Sequence, residues 1–318
     1  MPRFTNLRYL AISYPDDCEL FDQLIADGVV DILPRLEEVF ITGSEHGERM
    51  VDADAHKAIP FFSIPSLVKV GGSSVWGGGS DDDGGARRFS SVRDIELIDS
   101  GVSGGLAIWI NLCRELKSFR YKHSLFSHDS FAPGFFENTL TPHAATLERL
   151  WMEIDEVDYP DTGTIYEDDL WIGSLEIFTA LEVLGIPLRF LEMDHMMPEE
   201  KPAHTLCNIL PHSLKHLSLR DCSKDDLDWL PGQLEDMLRV KRCPDLKVLI
   251  IETKQRRLWS EALDQGVSRL CQKAGITLKV RPGFFADEAH RFFMGAGVEA
   301  LVHEDSFFED AHDNSEDR

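Results

Sequence analysis

Ten times between residues 6 and 281 the chain repeats one short phrase: leucine or a stand-in, two spacers, an apolar residue, one spacer and another apolar residue. The copies carry Leu7/Leu10/Ile12, Leu36/Val39/Ile41, Leu67/Val70/Gly72, Val92/Ile95/Leu97, Leu116/Phe119/Tyr121, Leu147/Leu150/Met152, Leu181/Leu184/Ile186, Leu214/Leu217/Leu219, Leu246/Leu249/Ile251, and a degenerate tenth, Gly275/Leu278/Val280. The third, ending on Gly72, and the tenth, opening on Gly275, match least well. Starts lie 24 to 34 residues apart. A self-similar period of that length means units that bury their apolar faces only by stacking on their neighbours. One elongated domain is therefore expected, not the two that length alone suggests.

Apolar residues at positions four and six of the phrase put two side chains on one face of a short strand and leave the spacers on the other. Between phrases the spacing turns helical: Leu20, Leu24 and Ile32 ahead of Pro34; Leu106, Ile110 and Cys113; and Leu258, Ala262, Leu263, Val267 and Leu270 ahead of Gly275. Gly275 suits the left-handed conformation that closes a helix. Strand, crossover and strand in a constant sense need parallel strands, and right-handed crossovers wind them into a solenoid. The expected fold is an α/β repeat solenoid, with a curved parallel sheet on the concave side and helices on the convex side. It fills residues 1–302, with a flexible Gly/Asp-rich insertion at 71–88 and an apolar cap for the last repeat at 284–302; an acidic tail follows at 303–318.

Composition narrows the classes of partner. The net charge is −24, which repels nucleic acid and anionic lipid, since both recruit proteins mainly through phosphates neutralised by Lys and Arg. Seven acids against one base fall in 303–318 alone, the composition of a solvated, disordered tail. With no run of eighteen apolar residues, no membrane span is expected. The opening MPRFTNLRYL has no charged leader followed by an apolar stretch, and the six cysteines are scattered without a CxxC pair. The expectation is an intracellular chain, cytoplasmic or nuclear, whose reduced thiols mostly fill core positions.

Leu214-Lys-His-Leu217-Ser-Leu219-Arg-Asp-Cys222, followed by Cys243-Pro-Asp-Leu246, resembles the cysteine-containing subtype of leucine-rich repeat. Cys113-Arg-Glu-Leu116 repeats its second half, and 172–184 followed by 210–217 is similar to repeats in the F-box-like families of filamentous fungi. The resemblance covers residues 6–281. It implies the substrate-recognition part of an F-box-type ubiquitin-ligase receptor, with a substrate protein and the ligase's adaptor as partners. The F-box itself, a helical module ahead of the repeats, is not found. Leu33-Pro34-Arg35-Leu36 imitates its opening but runs into a repeat strand. The residue after the strand, Asn or Cys in the subtype, is Ser100 or Arg189 in other copies, which implies an irregular ladder there. The alternatives are a scaffold or inhibitor of the same fold without a ligase link, and an enzyme with active loops at 155–169 and 193–205.

On such a solenoid the spacers at positions three, five and seven face the concave surface. In the first four copies their charged members are Glu38, Asp94 and Glu96 against Lys69; in the last six they are Arg120, Lys122, Arg149, Arg220, Lys279 and Arg281 against Glu153 and Glu252. This predicts a basic strip on the inner face of an acidic protein. Trp151 and His216 lie on it, and Trp with Arg is the composition of interface hot spots. Arg120, Lys122, Arg149, Trp151, His216 and Arg220 are thus the expected binding residues for a protein partner with an acidic surface.

Other chemistries fit less well. The stretch 71–85 lacks the Gly-Lys-Ser/Thr of a phosphate loop, and its three adjacent Asp lack the alternating ligands of a calcium loop. His212 and His216 with Cys207 and Cys222 have the atom types for zinc, but His216 falls on the concave face while Cys222 ends the phrase. No nucleophile elbow, HExxH or dinucleotide fingerprint occurs, and Asp194-His195 has no third member. Asp168-Asp169 and Asp225-Asp226 read as helix-start charges. No catalytic residue, cofactor or metal is assigned.

Overall fold

The computed structural model describes residues 4–14, 19–46, 49–51, 53–76, 89–101, 104–123, 134–154, 171–191, 205–253, 255–264 and 266–281. The chain divides into two units, Met1–Arg281 and Pro282–Arg318. The second unit, and with it the expected cap and acidic tail, lies outside the described residues. So do 77–88 of the expected insertion and almost all of the two loops considered for an enzyme.

Every phrase forms a strand: β1 Tyr9–Tyr14, β2 Glu38–His46, β3 Lys69–Ser73, β4 Asp94–Ser100, β5 Ser118–His123, β6 Arg149–Ile154, β7 Val183–Pro187, β8 His216–Cys222, β9 Val248–Thr253 and β10 Thr277–Arg281. The strands pair in sequence order and in parallel into one sheet. Position four meets position four throughout: Leu10 opposes Val39, then Val70, Ile95, Phe119, Leu150, Leu184, Leu217, Leu249 and Leu278. A slip of one residue would turn each strand's apolar pair out to water, so burial of that pair fixes the register. Behind the sheet the first leucines of the phrases stack as well, with Leu36, Leu67, Leu116, Leu147, Leu181 and Leu214 fully buried. Leu10, Ile12, Leu278 and Val280 are only partly buried, because a terminal repeat has a described neighbour on one side alone.

The crossovers carry helices α1 Glu19–Asp27, α2 Gly104–Leu112, α3 Gly134–Leu140, α4 Leu230–Arg239, α5 Arg256–Asp264 and α6 Val267–Ala274. Elsewhere they shrink to single turns such as Ala55–Ala58 and Leu206–Ile209, or to 3-10 segments such as Leu175–Ile177. The last crossover, which the spacing predicts as one helix, is two. Gly266 stands at the break, where continuing a helix through glycine costs about 1 kcal/mol relative to alanine. Its buried stripe is Trp259, Leu263, Val267 and Cys271, in steps of four, while Leu258 is exposed. Gly275 closes α6 in the left-handed region (φ 73°), as the spacing predicts.

The weak third copy has a physical remedy. A Cβ on Gly72 would run into Val75, so the methyls of Val75, brought round by left-handed Ser74 (φ 53°), occupy the core space a position-six side chain would fill. Of the expected flexible insertion, Gly71 to Ser73 thus belong to β3, and Val75–Trp76 pairs with Ala53–Asp54 as a small accessory ribbon.

Candidate interaction surface

Consecutive strands of a sheet lie about 4.8 Å apart, so opposite charges at one phrase position in neighbouring copies come within reach of each other, and long side chains also reach diagonally to the next strand or, as Arg220 does to Glu153, past one strand. On the inner face this produces a continuous ion ladder. Lys69 Nζ lies 2.9 Å from Glu96 Oε2, and Glu96 Oε1 accepts from Arg120 Nη1 at 2.8 Å. Arg120 Nη2 donates to Glu153 Oε1 at 3.1 Å. Glu153 Oε2 sits 3.2 Å from Arg220 Nη1, an ion pair without hydrogen-bond geometry. Arg220 Nε donates to Glu252 Oε2 at 2.7 Å, and Glu252 Oε1 accepts from Arg281 Nη2 at 3.0 Å. Two branches flank it: Lys122 to Asp99 at 3.1 Å, and Arg149 to Asp94 at 3.0 Å. Arg149 reaches Asp94 across β5, where the register places only the small Ser118 between them.

The expected basic strip is therefore corrected: its arginines are already neutralised by acids of the same face. Arg120 and Arg220 are only 3% and 8% exposed. Burial alone would raise Glu153, but the Arg220 and Arg120 guanidiniums outweigh it and hold the carboxyl below the usual carboxylate range. Glu96 is lowered in the same way against its burial, by Lys69 and Arg120. At Asp94 burial wins, and its carboxyl is raised despite Arg149 and Lys69. Sequence reasoning places Asp94, Glu96, Glu153 and Glu252 on this face without pairing them with its cations, and misses Asp99 as a member of the surface. The signal was present as alternating signs in successive copies: Glu96 then Arg120 at position five, Arg220, Glu252 and Arg281 at position seven.

Trp151 is 5% exposed and lies flat on the sheet. Its Nε1 donates to Glu153 Oε1 at 2.7 Å, and Arg220 stands 5.4 Å from its ring centroid. This placement needs Gly185, which opposes Trp151 on β7: any Cβ there would penetrate the indole. Beyond Trp151 the face changes character. Val183, His216 and Val248 occupy one row of β7, β8 and β9, and Gly185, Ser218 and Ile250 the next. His216 is partly buried and its pKa lowered, by burial first and then by the Lys247 and Lys215 cations. Of the six expected binding residues, the structure gathers five, Arg120, Arg149, Trp151, Arg220 and Lys122, in or beside the ladder, and sets His216 in this uncharged window.

Past the ladder the strands end in a second polar contact. The Tyr121 hydroxyl donates to Ser100 O at 2.8 Å and lies 2.8 Å from His123 Nδ1. Ser100 Oγ in turn accepts from Val75 N–H at 3.1 Å, so serine fills the role the resemblance gives to Asn or Cys. Burial pushes His123, 7% exposed, down to about 4 from 6.5. A histidine whose folded pKa is depressed is protonated more readily in the unfolded chain, so its contribution is whole above pH 6.5 and lost as pH falls toward 4. Between pH 7.5 and 5 the wild type is expected to lose about 2 kcal/mol through this residue. His123→Phe should be correspondingly less sensitive over that interval in urea titrations; equal slopes for both proteins would refute the assignment.

Among the described residues no group of three metal-ligand side chains converges, and no helix is long and apolar enough to cross a membrane. The four residues considered for zinc are separated in role: the thiol of buried Cys222 faces Leu219 O, and His212 accompanies Arg242 at 2.8 Å. Ser223 N–H donates to Asp226 at 2.6 Å, a capping contact in keeping with the helix-start reading. Compared with known proteins, residues 22–267 match a family model described as a leucine-rich repeat domain. Curated proteins and solved structures returned no match.

Proposed function

The chain belongs to the leucine-rich repeat family, whose domains are protein–protein interaction modules, and from that premise we propose that it holds a protein partner against the inner face of its sheet. The observation that carries this reading is the ladder. Paired charges from β3 to β10 lock long side chains that would otherwise have to be ordered on binding, and a surface ordered in advance binds at lower entropic cost. Charge reversal at Arg120, Arg149 and Arg220 would dismantle the ladder, so it cannot separate binding from folding. Lys122, on a flanking branch, and His216, in the uncharged window, are partly buried and lie off the main run of the ladder. The double variant Lys122→Glu/His216→Asp should melt within a few degrees of wild type yet lose the proteins that the wild-type chain retains in affinity mass spectrometry. Retention of all of them would overturn the inner-face reading.

We propose further that the partner is a substrate and the module the recognition part of an F-box-type ubiquitin-ligase receptor. Support comes from the cysteine phrase, whose thiols occupy built positions: Cys222 buried at the end of β8, Cys243 donating to Pro211 O at 3.4 Å and Cys113 to Trp109 O at 3.3 Å. Co-purification of the ligase's adaptor with the native protein is the expected result. Retained partners without the adaptor would favour a scaffold or inhibitor instead.

A further inference from the structure

Resting on the inner-face reading, we propose that the partner is taken by the uncharged window over β7, β8 and β9, and that what enters is a protein segment carrying an apolar side chain next to a carboxylate. Elsewhere on the face an incoming charge must strip a buried guanidinium from its carboxylates, because Arg120 and Arg220 are each held between two acids. Breaking such pairs is costly for any ligand that does not replace both partners. The window presents no such obstacle: Val183, Val248 and Ile250 are half-buried aliphatic side chains beside the Trp151 indole, which covers Gly185.

Ser218 adds an independent sign. It is 97% buried by its 3% exposure, its side chain alternates with core residues Leu217 and Leu219 and so stands on the inner face, and its Oγ has no hydrogen-bond partner. Buried hydroxyls are normally satisfied. A segment that enters the window and displaces the side chains covering this hydroxyl supplies the missing N–H or C=O partner.

Charge selects the second half of the ligand. Lys247, which leads into Val248, is exposed and makes no ion pair among the described residues. Glu182, an acid on that border, is engaged by Lys215 at 2.7 Å. In a chain of net charge −24 Lys247 is thus a local cation at the edge of an apolar floor, complementary to a carboxylate flanking a leucine, isoleucine or phenylalanine.

The test is selection of a phage-displayed random dodecapeptide library on the full-length chain. Enriched peptides are then synthesised and titrated by fluorescence anisotropy against wild type, Lys247→Glu, Ile250→Asp and Lys122→Glu, with melting curves for each. Enriched peptides should pair an acid with an aliphatic or aromatic residue, bind at least tenfold more weakly to Lys247→Glu and Ile250→Asp, and change less than twofold with Lys122→Glu. Lys247 is exposed, so its variant reads binding even where Ile250→Asp disturbs the strand. Basic or acid-free consensus peptides, or no enrichment, overturn the proposal. So does full binding to Lys247→Glu; if Lys122→Glu then abolishes it, the inner-face reading survives alone, and if no variant weakens it both readings fall.

Discussion

Replacing Glu153 by alanine is expected to cost about 3 to 5 kcal/mol of stability, the range for removing one member of a buried ion network. No other acid of the inner face has as many described partners: its carboxylate meets Arg120, Arg220 and the Trp151 indole. Each of those groups is at least nine-tenths buried, so alanine leaves two guanidiniums without one of their two acids and an N–H without an acceptor. Glu153→Gln keeps the acceptor for Trp151 and should cost clearly less. Joint replacement of Arg120, Glu153 and Arg220 by Met, Leu and Met removes the desolvated charges together and is expected to recover most of the loss, since well-packed apolar groups often equal a buried ion network. Urea titrations followed by circular dichroism read all three. A loss under 1 kcal/mol for Glu153→Ala would show that the pairing is incidental to folding. The same linkage predicts an acid limb: Glu96 and Glu153 titrate below their usual values, so their contribution is present above about pH 4.5 and disappears as pH falls through the lowered folded values.

The architecture was legible because strand geometry has only one way to satisfy the phrase. Two apolar residues at spacing two must share a face, and ten such pairs at a near-constant period must stack, so even degenerate Leu278/Val280 falls into register with Leu249/Ile251. The charges were legible only as an inventory. Counting Arg120, Arg149 and Arg220 against the acids of the whole half-face treats them as independent, whereas a flexible guanidinium beside a carboxylate one strand away is neutralised locally. Reading the columns copy by copy would have exposed the alternation. Arg149 with Asp94 escaped even that, since they are two strands apart and meet because Ser118 is small. Val75 in the place of a position-six side chain was not legible at all: nothing in the local pattern says that a residue beyond the strand folds back into the gap above Gly72.

Trp109→Ala is expected to cost about 3 to 5 kcal/mol, as for other large buried aromatics, and to do so unevenly along the solenoid. Trp109 lies in α2, the crossover from β4 to β5, yet its Nε1 donates at 2.8 Å to Ala55 O in the crossover from β2 to β3, and its ring lies 5.8 Å from that of Phe62. Repeats normally couple only to their neighbours; this residue ties the second crossover to the fourth, past a third in which the described residues form no helix. Trp109→Phe should cost about 1 to 3 kcal/mol, because the ring volume largely remains while a buried carbonyl loses its donor. Hydrogen exchange separates a local from a global effect. In Trp109→Ala, amides of β1 to β3 should lose protection well before those of β7 to β9, and unfolding should spread over two transitions instead of one. A uniform loss along the sheet would mean that the tie adds stability without coupling. The uneven outcome also bears on recognition: the window at Val183, His216 and Val248 lies on β7 to β9, far along the sheet from the crossovers that Trp109 ties, so peptide binding there should outlast the N-terminal repeats as Trp109→Ala is warmed.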